Sequence, residues 1–174
     1  MIKAKLKVLP IEELANTITH GLGLVLSVIG FAVLLVLASL NGDRWSTLSC
    51  VVYGLSLVVL YAASTFYHSA TSLRAKKNLQ VVEHCCIYLL IAGSYTPFGM
   101  VIINDPLGRI LMAGIWGFAA VGILIKLMIR DRFPAINVIS YLLMGWLGVF
   151  AVQPLFNALG MAPVILTIAG GLAY

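Results

Sequence analysis

Charged residues are scarce in this sequence. Asp, Glu, Lys and Arg together make up only 10% of its 174 residues, whereas an ordinary soluble domain carries about a quarter. The hydrophobic content is 61% and the mean hydropathy is +1.06. These values exclude an ordinary soluble domain and indicate an integral membrane protein.

Cysteine is also rare. The three cysteines, Cys50, Cys85 and Cys86, are an odd number without the C-x-x-C spacing of a metal site. The adjacent Cys85 and Cys86 would point about 100° apart on a helix and make poor partners for each other. We therefore expect no disulfide.

Long apolar runs dominate the rest of the chain. Five of them reach the roughly 17–25 residues that a helix needs to cross a hydrocarbon core, and they cover residues 20–40, 45–67, 81–103, 107–129 and 133–156. A shorter run at 161–174 falls below that length, so we expect the sequence to stop inside a sixth span. The prediction is an all-α, polytopic transmembrane helix bundle that forms a single domain over residues 1–174.

The basic residues predict how this bundle is oriented. Counted loop by loop, with Arg109 and Lys126 assigned to the two ends of the fourth span, Lys and Arg number three, one, three, one and three, so nine lie on one face and two on the other. The positive-inside rule makes the nine-residue face cytoplasmic. Because no cleavable signal peptide is visible, we expect a multi-pass inner-membrane protein with a cytoplasmic N-terminus. The basic residues form no stripe with interleaved aromatics, so no nucleic acid is expected as a partner.

Four ionisable side chains fall near the cytoplasmic ends of the predicted spans. They are His20 at the start of span one, His68 at the end of span two, and Glu83 with His84 at the start of span three. Ionisable groups in or beside a span are costly and indicate a functional site. Imidazoles and a carboxylate are typical zinc ligands. Alternatively, a histidine at a membrane interface can pack its apolar part in the bundle and leave its polar end hydrated.

Two further features accompany these residues. Ser64 lies one turn before His68 on the same helix face, where it can orient a ligand or bond a water, or bond only to its own helix backbone. Glu12, Asn16 and His20 repeat every four residues. They form a polar stripe that either belongs to the site or is solvated at the interface.

The motifs that carry these residues resemble those of a known family. Residues 12–21 read EELANTITHG, residues 63–69 read ASTFYHS, and residues 83–98 read EHCCIYLLIAGSYTPF. They closely resemble the bacterial hemolysin III family, which is similar to the progestin and adipoQ receptors and to alkaline ceramidases. The resemblance extends from about Ile11 to Tyr174.

The resemblance implies a seven-helix bundle that holds zinc near the cytoplasmic face. The family's S-x-x-x-H motif falls on Ser64 and His68, its E-x-x-x-N-x-x-x-H motif on Glu12, Asn16 and His20, and its Asp-His pair on Glu83 and His84. Related members imply hydrolysis of an amide bond in a ceramide-like membrane lipid. If the protein is such an enzyme, we expect Ser64 and Glu83 to be its catalytic residues. The bacterial members are named for haemolytic activity.

Two departures from the family pattern affect the expected site. Glu83 replaces the family Asp and is one methylene longer. The family's histidine pair of the seventh helix is also expected to be missing, so zinc would depend on His68, Glu83, His84 and His20. Adjacent Glu83 and His84 splay apart on a helix and cannot both readily face one ion. A pore-forming protein, a non-catalytic membrane-homeostasis protein and an inactive fragment remain alternative interpretations, and the lipid bilayer is the partner common to all.

Overall fold

A computed structural model describes residues 10–41, 43–103, 105–130 and 132–173 of the chain. Its helices are α1 (Ile11–Asn41), α2 (Arg44–Ser69), α3 (Leu73–Pro97), α4 (Pro106–Ile129), α5 (Pro134–Trp146), α6 (Val152–Leu159) and α7 (Met161–Ala173). A π-helical turn, Phe98–Ile102, follows α3, and a 3₁₀ turn, Leu147–Ala151, joins α5 to α6.

Five helical runs in the described part of the chain are long and apolar enough to cross a membrane. They are Ile11–Leu40, Arg44–Ser69, Leu73–Ile102, Pro106–Ile129 and Ala135–Leu159, and Met161–Leu172 is a shorter apolar helix. The predicted all-α fold with five spans and a shorter sixth is confirmed. Lys3, Lys5 and Lys7, which contribute to the charge pattern, lie outside the described residues, and the sidedness of the bundle stays a prediction.

Two helices begin earlier than the apolar runs indicate. α1 starts at Ile11 rather than at His20, and α3 starts at Leu73 rather than at Val81. The polar residues before each apolar run are therefore helical as well. As a result, His20 lies about 14 Å along the axis from the start of α1, and Glu83 about 15 Å from the start of α3.

Carboxylates cap two of the helices. The Asp43 side chain accepts hydrogen bonds from the amides of Trp45 and Ser46 at the start of α2, each at 2.8 Å. These bonds, the one from Ser46 foremost, lower the pKa of Asp43. Asp105 caps α4 in the same way through the Gly108 amide at 2.8 Å. Both caps satisfy backbone donors that the first helical turn leaves free.

The core lies where α3, α4 and α5 meet. Its buried side chains are Tyr88, Ala92, Ile115, Ala119, Tyr141 and Met144. Tyr88 and Tyr141 pack edge to face with ring centroids 4.6 Å apart. Their hydroxyls also join α3 to α5, because Tyr88 bonds the Ser140 hydroxyl at 2.5 Å and Tyr141 donates to the His84 carbonyl at 2.9 Å. Buried tyrosines usually find such partners.

The fifth span is interrupted near its middle. Pro154 lacks a backbone N–H, so the carbonyl of Phe150 loses its helical partner and is crowded by the proline ring. The helix tightens into the 3₁₀ turn Leu147–Ala151 immediately before this point. The span therefore consists of two α-helical pieces, α5 and α6.

Aromatic rings fill notches left by glycine between neighbouring helices. The Tyr61 ring of α2 lies against Gly23 of α1, and the Tyr88 ring of α3 lies against Gly122 of α4. A Cβ at either glycine would overlap the ring it faces. Close approach of this kind supplies packing energy where lipid supplies no hydrophobic drive.

Replacing Gly122 with alanine should destabilise the bundle by about 1–3 kcal/mol, because the Tyr88 ring must move and takes its contacts with Ser140 and Tyr141 with it. The matched control is Gly117→Ala on the same helix, where a Cβ meets no atom within 4 Å. Thermal unfolding in detergent measures both. Equal melting temperatures for the two variants would contradict the role assigned to the notch.

Candidate functional site

Helices α1, α2 and α3 bring four polar side chains together. His20 comes from α1, Ser64 and His68 from α2, and Glu83 from α3, and we call these four residues the site cluster. α1 packs on α2 and α2 on α3, and the short connections make these neighbours antiparallel. The end of α2 therefore lies beside the first turns of α1 and α3, which is where the sequence predicts the convergence.

Ser64 is the centre of the site cluster. Its side chain is buried, and its Oγ lies 2.5 Å from Glu83 Oε1 and 2.7 Å from His20 Nδ1. The hydroxyl has one hydrogen, which it donates to Glu83, so it accepts the second bond from the His20 Nδ1–H. Ser64 thus bonds across three helices rather than to the carbonyl one turn back.

His68 lies between two carboxylates. Its Nδ1 is 2.8 Å from Glu13 Oε2, and its Nε2 is 4.0 Å from Glu83 Oε1. Because an ionised carboxylate only accepts hydrogen bonds, Nδ1 carries the hydrogen that bonds Glu13. In their neutral forms, both His20 and His68 then present an unprotonated Nε2. Their ring centroids are 5.1 Å apart.

Glu13 is a site residue that the sequence pattern did not identify. The pattern indicates Glu12, but Glu12 is exposed. Glu13 is the residue that bonds His68, and it also forms an ion pair with Lys76 Nζ at 2.7 Å. Lys76 lies in the first turns of α3, with its ammonium 4.7 Å from the centre of the Tyr67 ring. The overlooked signal is that Glu13 lies seven residues before His20, which is two turns along one helix face.

His84 occupies a different position from the site cluster. Its carbonyl accepts the hydrogen bond from Tyr141 of α5, and its side chain leaves α3 about 100° away from that of Glu83. The bonds that join the site cluster run through Glu83 instead. The structure therefore brings together His20, Ser64, His68 and Glu83 of the expected site residues, and places the His84 backbone against α5.

The donor types of the site cluster suit zinc, since imidazole nitrogens and a carboxylate are its usual ligands. The geometry, however, does not supply a complete site. Within residues 10–41, 43–103, 105–130 and 132–173, no group of three or more His, Cys, Asp or Glu side chains is arranged to hold a metal ion. Glu83 is already engaged by Ser64, and the two imidazoles supply only two further donors.

Comparison with known proteins gives the relationships of the chain. It is 39% identical over 163 residues to the hemolysin-3 homolog of Bacillus subtilis (strain 168), covering 94% of this chain and 76% of that protein. It is 40% identical to hemolysin-3 of Bacillus cereus over 94% of this chain and 74% of that protein. The human monocyte to macrophage differentiation factor is 29% identical over 94% of this chain and 68% of its own length.

No solved structure matches the chain with significance. A family model described as haemolysin-III related matches residues 10–174, which include every residue of the site cluster together with Glu13 and Lys76. On this match and the two bacillary relatives, the chain belongs to the haemolysin-III related family of multi-pass membrane proteins.

Proposed function

We propose that the site cluster is the functional centre of a membrane-embedded lipid hydrolase that cleaves an amide bond in a lipid of the inner leaflet. One observation carries the proposal. Three polar side chains from three membrane-spanning helices, His20, Ser64 and Glu83, form a connected hydrogen-bonded group around the buried Ser64, and His68 Nε2 lies 4.0 Å from Glu83 Oε1. Such groups are expensive inside a bilayer and mark functional sites.

The protein's own groups support one chemical role clearly. Glu83 is a carboxylate held in place by Ser64, and 4.0 Å separates it from His68 Nε2. The attacking water would bind beside this pair, within hydrogen-bond distance of Glu83. Glu83 would take a proton from that water as its oxygen forms a bond to the carbonyl carbon, and the proton would pass to the nitrogen as the carbon–nitrogen bond breaks. Ser64 acts as the group that orients Glu83.

Zinc belongs to this proposal through the donor types and the family resemblance. His68, His20, Glu83 and His84 are its candidate ligands, and a bound zinc would supply a polarised carbonyl or an activated water. The cytoplasmic position of the site belongs to the proposal as well, since it depends on the charge pattern. Of these four candidates, His84 is the one whose side chain leaves α3 in a different direction from Glu83.

Metal analysis tests the zinc component. Protein purified in detergent and equilibrated with zinc should hold about one ion per chain. His68→Ala and His20→Ala should each lower zinc affinity by about tenfold or more, while His84→Ala should lower it less because its side chain leaves α3 in another direction. Absence of zinc from the unsubstituted protein, or an equal loss in all three variants, would contradict the proposed ligands.

Hydrolysis of a lipid amide in proteoliposomes tests the reaction. Glu83→Gln removes the general base without changing its size, so the rate should fall by about a hundredfold or more. Glu12→Gln, at an exposed position on α1, is the matched control and should keep the rate. Dye leakage from the same liposomes that persists in His68→Ala, without hydrolysis in the unsubstituted protein, would instead favour a pore-forming protein.

The central role of Ser64 has its own consequence for stability. Ser64→Ala leaves a Glu83 oxygen and the His20 Nδ1–H without their shared partner, which should cost about 1–3 kcal/mol. Ser49→Ala is the matched control, because Ser49 is equally buried in α2 but bonds the Ser46 carbonyl of its own helix. Thermal unfolding in detergent compares the two. If the Ser64→Ala protein were as stable as Ser49→Ala, the central role assigned to Ser64 in the site cluster would be wrong.

A further inference from the structure

We propose that Glu13 is a positioning residue that fixes the tautomer and ring orientation of His68, and that Lys76 holds Glu13 in place. The inference deepens the proposed function, because it names the groups that set which nitrogen His68 offers to the site. It concerns the geometry of the imidazole, however, and holds for any ligand that His68 contacts.

The contact between Glu13 and His68 is directional. Glu13 Oε2 lies 2.8 Å from His68 Nδ1, a distance typical of a charge-assisted hydrogen bond. The two side chains are only 22% and 14% exposed, so water competes weakly for either partner. A hydrogen bond at one imidazole nitrogen decides which nitrogen carries the hydrogen. With Nδ1 protonated, Nε2 keeps its lone pair on the side that faces Glu83.

Lys76 contacts the same oxygen of Glu13. Its Nζ lies 2.7 Å from Glu13 Oε2, and its side chain is only 17% exposed. The ammonium also sits over the ring of Tyr67, the residue that precedes His68, and that ring packs against the His68 imidazole with centroids 4.7 Å apart. Lys76 therefore contacts both the carboxylate that bonds His68 and the Tyr67 ring that packs against His68 at a tilt.

The arrangement ties His68 to two helices besides its own. Glu13 belongs to the first turn of α1, and Lys76 to the first turn of α3. Rotating α1 by one residue would replace Glu13 with the exposed Glu12 or with Leu14, and His68 would lose its acceptor. The position of Glu13, rather than the presence of an acidic residue nearby, is what the inference requires.

Nitrogen-15 NMR of histidine-labelled protein in detergent, at a pH where the imidazoles are neutral, tests the inference. The sequence has three histidines, so single substitutions assign the resonances. Unsubstituted His68 should show a protonated Nδ1 and an unprotonated Nε2. In Glu13→Ala the ratio of Nδ1–H to Nε2–H should fall about tenfold or more, the equilibrium effect of losing one charge-assisted hydrogen bond.

Glu13→Gln keeps an acceptor oxygen in the same place, so the His68 signal should return toward that of the unsubstituted protein. Lys76→Met should give a mixture of His68 tautomers. Lys76→Arg keeps the positive charge and should keep the Nδ1–H tautomer of the unsubstituted protein. Glu12→Ala is the control and should change nothing. Thermal unfolding of each variant separates a local change from loss of the fold.

Specific outcomes would overturn the inference. A His68 spectrum that is unchanged in Glu13→Ala, or one that changes equally in Glu12→Ala, would show that Glu13 does not set the tautomer. An unchanged spectrum in Lys76→Met would remove Lys76 from this role. Because the measurement needs neither metal nor substrate, a failure of the proposed hydrolysis would leave this result intact, and the reverse also holds.

Discussion

The hydroxyl group of Ser64 is the constraint on which the site depends. It has one hydrogen and two partners, Glu83 on α3 and His20 on α1. Both bonds therefore form only when α1, α2 and α3 have one particular rotation about their axes and one particular position along them. Apolar packing against lipid does not specify such a relationship, because leucine and isoleucine contacts tolerate small shifts. Breaking a buried hydrogen-bonded group costs more free energy than shifting an apolar contact, so such a group favours one arrangement of the helices.

Glycine notches set the same arrangement from the apolar side. The Tyr61 ring fills the notch at Gly23, and Tyr61 also lies beside the His20 ring with centroids 6.0 Å apart. The close approach of α1 and α2 at this level brings His20 within reach of Ser64, which lies less than one turn beyond Tyr61. Packing and hydrogen bonding therefore agree on one register, which is the consistency expected of a sequence that specifies a single structure.

Hydropathy was sufficient for the fold, because a bilayer requires long apolar helices. It was insufficient for the starts of α1 and α3, because the charged residues Glu13 and Lys76 lie before the apolar runs, where the chain is already helical. The convergence of His20, His68 and Glu83 followed from the alternation of antiparallel helices. The choice between Glu12 and Glu13 did not, because these neighbours differ by about 100° around α1, and only the packing of α1 on α2 decides which one meets His68.

The charges of this network bear on the proposal that the site cluster holds a cation. Glu13 and Glu83 contribute two carboxylates, and Lys76 contributes one ammonium, so with neutral imidazoles these five residues with Ser64 carry a net negative charge. An unbalanced charge among membrane-spanning helices is costly. A cation near the two Nε2 atoms, whether a proton on an imidazole or a metal ion, would offset it. Among these residues, Lys76 pairs with Glu13, and the Glu83 carboxylate is bonded by the neutral hydroxyl of Ser64.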